Sequence, residues 1–171
     1  MDEEKTVVNE VASDTYDASD KPFDFIEEGV ETALICESDP VRRSKISESL
    51  SKEGYHITET DSARDALKKM RFHVYQIIIV NENFDTDDPD RNSVLNYLKG
   101  LSMGIRRNIF VVMISDRFRT MDNMMAFNKS VNLIVNPSNI DNLSAIIKGG
   151  IADNEAFYHI YKESLKKGGR G

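Results

Sequence analysis

QIIIVNEN, residues 76–83, carries an unbroken aliphatic run into two amides that flank a carboxylate. A run with no polar face reads as a strand buried on both sides, which is the habit of parallel sheets covered by helices on both faces. Its end delivers Asn81, then Glu82 and Asn83, to the carboxyl edge of that sheet. Open α/β sheets gather their ligands at that edge, so the residue types there bear on function.

The chain on either side keeps alternating between strand and helix. TALIC (32–36) is a short apolar run stopped by ESDP. Pro40 suits a first helical turn, Val41, Ile46 and Leu50 are the apolar positions of the helix that follows, and Gly54 ends it. YHITETD (55–61) alternates as a second strand. Ser62 is placed to cap a second helix through 62–74, with Ala66, Leu67 and Met70 inward. After the central strand come a polar loop, ENFDTDDPDR (82–91), a helix through NSVLNYLKGL (92–101) and a turn at Gly104. A strand over 108–116, a helix over 121–128, a strand over 131–137 and a helix over 139–150 complete the series. Five strands alternating with five helices specify an α/β fold: a five-stranded parallel sheet with helices on both faces, joined by right-handed crossovers. NEAFYHIYKESLKK (154–167) adds an extra C-terminal helix, with Phe157, Ile160, Tyr161 and Leu165 on one stripe, before a flexible GGRG end.

A chain of 171 residues, 40% of them hydrophobic, buries one core. Cys36 is the only cysteine, which excludes an internal disulfide and a cysteine-based zinc site. There is no apolar run of about 18 residues, and the first twenty residues are acidic where a secretory signal would be basic and then apolar, so a cytoplasmic protein with no membrane partner is expected. Of the formal charge of −7, residues 1–31 carry −9, eleven carboxylates against Lys5 and Lys21, and the remainder +2. Residues 1–31 therefore read as an acidic tail, largely disordered over residues 1 to about 22, with Phe23, Phe25 and Ile26 able to rest on the body. The domain proper spans 32–150, and 151–171 holds the added helix and its flexible end.

The strand ends bring together Glu37, Ser38 and Asp39; Asn81 and Glu82; Ser115 and Asp116; and Asn136 with Pro137. This set resembles the receiver domain of two-component response regulators, a flavodoxin-like fold matching residues 32 to about 149. In that family the first strand ends in two acids, matched here by Glu37 and Ser38. The third ends in the phosphoacceptor aspartate, matched by Asn81; the fourth in Ser or Thr, matched by Ser115; and the fifth in Lys-Pro, matched by Asn136-Pro137. The usual aromatic residue of the fifth strand is matched by Leu133.

Each departure has a chemical consequence. A carboxamide is a poor nucleophile, so Asn81 is not expected to accept a phosphoryl group. Magnesium takes oxygen ligands, and of the carboxylates the resemblance implies only Glu37 remains. Asn136 replaces the lysine that would pair with acceptor and phosphoryl group. Glu37, Ser38, Asn81, Ser115 and Asn136 thus read as a degenerate phosphoacceptor pocket, in which Ser38, Asn81, Ser115 and Asn136 satisfy one another as neutral hydrogen-bonding groups. The reading is a pseudo-receiver: a phosphorylation-independent interaction or regulatory module in signal transduction, with no catalytic turnover, no metal and no cofactor, acting on another protein.

Two alternatives compete with it. A phosphoacceptor receiver would use a displaced carboxylate, Glu82 or Asp85. A flavin-binding, flavodoxin-like protein rests on the fold alone, since neither GxGxxG nor GxxxxGK[ST] occurs. DTDDPD (85–90) lacks the glycine and closing glutamate of a calcium loop. His56, His73 and His159 have no paired ligands, no histidine lies near Ser38 or Ser115 in the expected layout, and Arg106 and Arg107 lie at the opposite end of strand four from Arg117 and Arg119. Metal binding, triad hydrolysis and nucleic-acid binding are accordingly disfavoured. The helix over 121–128 holds more large apolar residues than one buried stripe needs, and so does 154–167. Together they are expected to form a docking surface of Met121, Met124, Met125, Leu133, Phe157, Tyr158 and Tyr161, with Met125 and Tyr158 as contacts.

Overall fold

Thr32–Cys36 (β1), His56–Glu59 (β2), Ile77–Asn81 (β3), Phe110–Ile114 (β4) and Leu133–Val135 (β5) form one parallel sheet in the order β2-β1-β3-β4-β5, in a computed structural model that describes residues 28–169. Every residue of β1, β3 and β4 is buried, as an aliphatic strand without a polar face requires. Alternation sends Ala33, Ile35, Ile77, Ile79, Val112 and Val135 to one face, and Leu34, Cys36, Ile78, Val80, Val111 and Ile134 to the other.

The first face is covered by α1 (Pro40–Lys52), through Ile46 and Leu50, and by α6 (Leu143–Lys167), through Leu143 and Ile147. The second is covered by α2 (Ala63–Phe72), α3 (Ser93–Lys99) and α5 (Asn123–Lys129). Ser62 caps α2 as expected, its side chain accepting from Asp65 N at 3.1 Å. At α1 it is Asp39 that caps, accepting from the backbone nitrogens of Val41 and Arg42, both at 2.9 Å. The turn expected at Gly104 is a one-turn helix, α4 (Met103–Arg106).

The sequence places a stop at Gly149-Gly150 and a separate helix beyond it. Instead α6 runs unbroken for 25 residues. A Cβ at Gly150 would lie 3.0 Å from Phe110 Cζ and 3.3 Å from Leu133 Cδ2. The glycine there lets the helix pass close to the first residues of β4 and β5, and packing on that surface outweighs its poor helix propensity. Beyond that crossing, Asn154 meets Asn132 and Tyr161 meets Arg107, so α6 continues past the amino edge of the sheet. The disorder expected over residues 1 to about 22, and the anchor expected from Phe23, Phe25 and Ile26, fall outside the described residues.

Candidate functional site

The strand order reverses at β1, which pairs with β2 on one side and β3 on the other, so a crevice opens outside the carboxyl ends of β1 and β3. Cys36 is level with Val80, which sets Glu37 beside Asn81. Glu37 is 2% exposed. Its Oε2 accepts from Asn81 Nδ2 at 2.8 Å and its Oε1 from Asp39 N at 3.1 Å, with Arg42 Nε 3.9 Å from Oε2. Asn81 Oδ1 accepts from Asn83 N at 2.9 Å, which fixes the orientation of the amide. Behind it the buried Asn92 donates from Nδ2 to Asn81 O (3.1 Å) and Glu82 O (3.0 Å) while its Oδ1 accepts from Leu95 N, clamping the strand end to α3. The crevice, about 170 Å³, is lined by Glu37, Ser38, Asp39, Arg42, Asn81 and Asp116, among others.

Glu82 turns away from this crevice. It is 1% exposed, and Arg117 grips it through Nε to Oε1 (3.0 Å) and Nη2 to Oε2 (2.7 Å), while Ser115 Oγ donates to Oε1 at 2.8 Å. The hydrogen bonds to Glu82 raise the Arg117 guanidinium above its ordinary range. A second cleft of about 270 Å³ opens here, edged by Asp90 and Lys129, whose ion pair spans 3.0 Å and lowers the Asp90 carboxyl.

The expected mutual satisfaction of four neutral groups is therefore corrected. Asn81 and Ser115 each bond a buried carboxylate, Glu37 and Glu82. Asn136 bonds the loop after β4, its Nδ2 donating to Phe118 O at 3.0 Å and its N to Thr120 Oγ1 at 2.9 Å. Ser38 stays exposed on the rim. The edge holds buried charge in the pairs of Glu37 with Asn81 and of Glu82 with Arg117. Asp85, the other carboxylate considered as a displaced acceptor, accepts from Ala63 N at 2.9 Å and so ties the loop after β3 to the first residue of α2. Asn92 was not legible as a site residue, and neither was the Arg117–Glu82 pair, because the partners are 35 residues apart and meet only across the strand order.

The residues present do not suit magnesium. Asn81 points an N–H at Glu37 where a cation would need a lone pair, and turning the amide over would set its oxygen against the carboxylate and forfeit the bond from Asn83 N. Among the described residues no group of three His, Cys, Asp or Glu side chains is arranged to hold a metal ion.

No protein-family model matches the chain, and no curated protein matches it. Solved structures do. A response regulator receiver domain (CheY-like) from Methylobacillus flagellatus is 22% identical, with a TM-score of 0.53 over 71% of this chain and 99% of that one. A receiver domain protein (CheY-like) from Methanospirillum hungatei is 18% identical, TM-score 0.56, over 75% and 98%. The signal receiver domain of a signal transduction histidine kinase from Syntrophus aciditrophicus is 18% identical, TM-score 0.57, over 72% and 92%. The chain has the receiver fold. At these identities the likeness establishes the receiver architecture alone, and in that architecture Asn81 stands at the end of the third strand and Asn136 at the end of the fifth.

Away from the crevice, Met124 (77%) and Phe127 (85%) are exposed on α5, and Met121 (55%) is exposed in the turn that precedes it. Met125 does not join them: it is half-buried and packs against the core cluster that holds Ala126. Leu133 is also removed from the expected surface, buried in β5 against α6. Phe157 and Tyr161 are exposed and Tyr158 half-buried, but they share their groove with Met103 and Arg107 of the α4 segment, not with α5. No helix among the described residues is long and apolar enough to cross a membrane.

Proposed function

We propose that the chain is a pseudo-receiver, a receiver-fold module of signal transduction that works by binding another protein and undergoes no phosphotransfer. One observation carries the reading: the end of β3, where the resemblance to receivers implies the phosphoacceptor, holds Asn81, whose amide is committed on both sides, donating to Glu37 and accepting from Asn83 N. A group so held offers no nucleophile and no metal ligand. Glu82 gives little support to a displaced phosphoacceptor, since both its oxygens are occupied by Arg117 and one also by Ser115. Asp85 is engaged at the start of α2.

The exposed row Met121, Met124 and Phe127 supports a protein partner, since adaptable methionines beside an aromatic ring suit a contact that buries them. The test is incubation of the whole chain with acetyl phosphate and magnesium, followed by intact mass and hydroxylamine treatment. The expected result is an unchanged mass. A hydroxylamine-labile phosphate adduct at high occupancy would overturn the reading.

A further inference from the structure

The C-terminal half of α6 carries a face that the described residues leave uncovered. Past the amino edge of the sheet, Asn154, Tyr158 and Leu165 are half-buried, while Phe157 stays 77% and Ile160 73% exposed. A helical segment of this kind draws most of its stability from packing an apolar face. Asp153, Phe157, Ile160, Ser164 and Lys167 follow one another at alternating steps of four and three, the repeat that keeps side chains on one coiled-coil seam. Phe157, Ile160 and Ser164 of the seam form one wall of a groove of about 650 Å³, with Met103 and Arg107 on the other. Tyr161 is held there by Arg107, which donates from Nη1 to its hydroxyl at 2.8 Å and lies 5.4 Å over its ring.

We propose that this face pairs with the same face of a second copy of the chain, the two α6 helices lying antiparallel about a twofold axis at Ile160. The charged ends of the seam complement each other in that direction. Asp153 precedes Ile160 by seven residues and Lys167 follows it by seven. Antiparallel pairing therefore sets Asp153 against Lys167 of the partner subunit at both ends, with Ile160 on the axis. Phe157 then falls beside Ser164 of the partner subunit, a small side chain that leaves room for the ring. A parallel pair would set aspartate on aspartate and lysine on lysine. The interface is isologous, so it closes at two copies and does not polymerise. It uses the opposite edge of the sheet from Asn81, so it stands or falls separately from the pseudo-receiver reading.

Sedimentation velocity of the full chain over a concentration series tests the pairing. The expected result is a reversible monomer–dimer equilibrium, abolished by Ile160→Asp. Asp153→Lys and Lys167→Asp each weaken it by roughly tenfold, since each change converts two attractive contacts into repulsive ones, and the double swap restores it to within about threefold. All three positions are exposed, so circular dichroism of the variants should match the parent. A chain monomeric throughout, a dimer indifferent to Ile160→Asp, or a swap that fails to restore would overturn the proposal. Dimerisation that appears only after removal of residues 1–27 would overturn it in favour of the acidic tail as occupant of the groove.

Discussion

Arg117 closes two donors on the carboxylate of Glu82, at 3.0 and 2.7 Å, across 35 residues of sequence and from the end of one strand to the end of its neighbour. The carboxylate is buried and the guanidinium two-fifths exposed, so the pair is screened on one side only. Arg117→Met leaves a buried carboxylate without its cation and should lower stability by about 1–3 kcal/mol, whereas adding Glu82→Gln to it should recover part of that cost. Urea denaturation of the four proteins as a double-mutant cycle gives the coupling. Strictly additive costs would mean that the pair contributes nothing.

Asn81→Asp replaces an N–H donated to Glu37 with a second carboxylate at hydrogen-bond distance. Like charges that close raise the proton affinity of the pair, so the variant's deficit should be small in acid and grow as pH rises through neutrality. The expected cost at pH 8 is about 1–3 kcal/mol. Phosphodonor treatment should still give little adduct, because Ser38 and Asn136 supply neither metal ligand nor cation. Robust labelling of this single variant would show that those two positions matter less than their chemistry suggests.

Asn92 spends its whole amide on the strand end and on α3. Asn92→Ala leaves the Glu82 carbonyl and the Leu95 N–H short of a partner, while Asn81 O keeps its bond from Phe84 N, with an expected loss of about 1–3 kcal/mol. Thermal unfolding measures it, and hydrogen exchange should show faster opening of the segment after β3. A variant as stable as the parent would mean that solvent replaces the amide.

Cys36 is fully buried, its hydroxyl neighbour Thr60 3.4 Å away, and desolvation pushes its thiol from 9.0 up to about 12. A raised pKa in the folded state gives stability that is present below pH 9 and lost as pH climbs toward 12. Native protein should therefore resist thiol reagents at pH 8 and react once unfolded. Tyr55 is raised to about 12 by burial and also favours the folded state below that range, so Cys36→Ala isolates the thiol's share of the alkaline loss. An alkaline profile unchanged by Cys36→Ala would remove the thiol as its cause.

Gly149 and Gly150 sit side by side in α6 under opposite constraints. A Cβ at Gly149 meets nothing within 4 Å, so Gly149→Ala should stabilise by about 0.5–1 kcal/mol through helix propensity alone. At Gly150 a larger side chain runs into Phe110 and Leu133, and Gly150→Val should destabilise and lift the projecting half of the helix. Melting temperatures and helical ellipticity of the two variants check this. Equal effects at both positions would refute the close approach.

The strand-and-helix alternation, the burial of IIIV on both faces, the Ser62 cap and the crevice position of Glu37 and Asn81 were legible in the sequence, because each depends on periodicity or on local backbone chemistry within a few residues. The sequence also sufficed to place an amide at the carboxyl end of β3. What it left open were pairings between distant segments. The bond from Asn81 to Glu37, the grip of Arg117 on Glu82 and the clamp of Asn92 arise where the strand order brings separate ends together, and no spacing along the chain encodes which donor reaches which acceptor. The same holds for the double glycine. Local propensity reads it as a stop, and only the surface of Phe110 and Leu133, which a Cβ at Gly150 would crowd, turns it into a crossing that one continuous helix passes through.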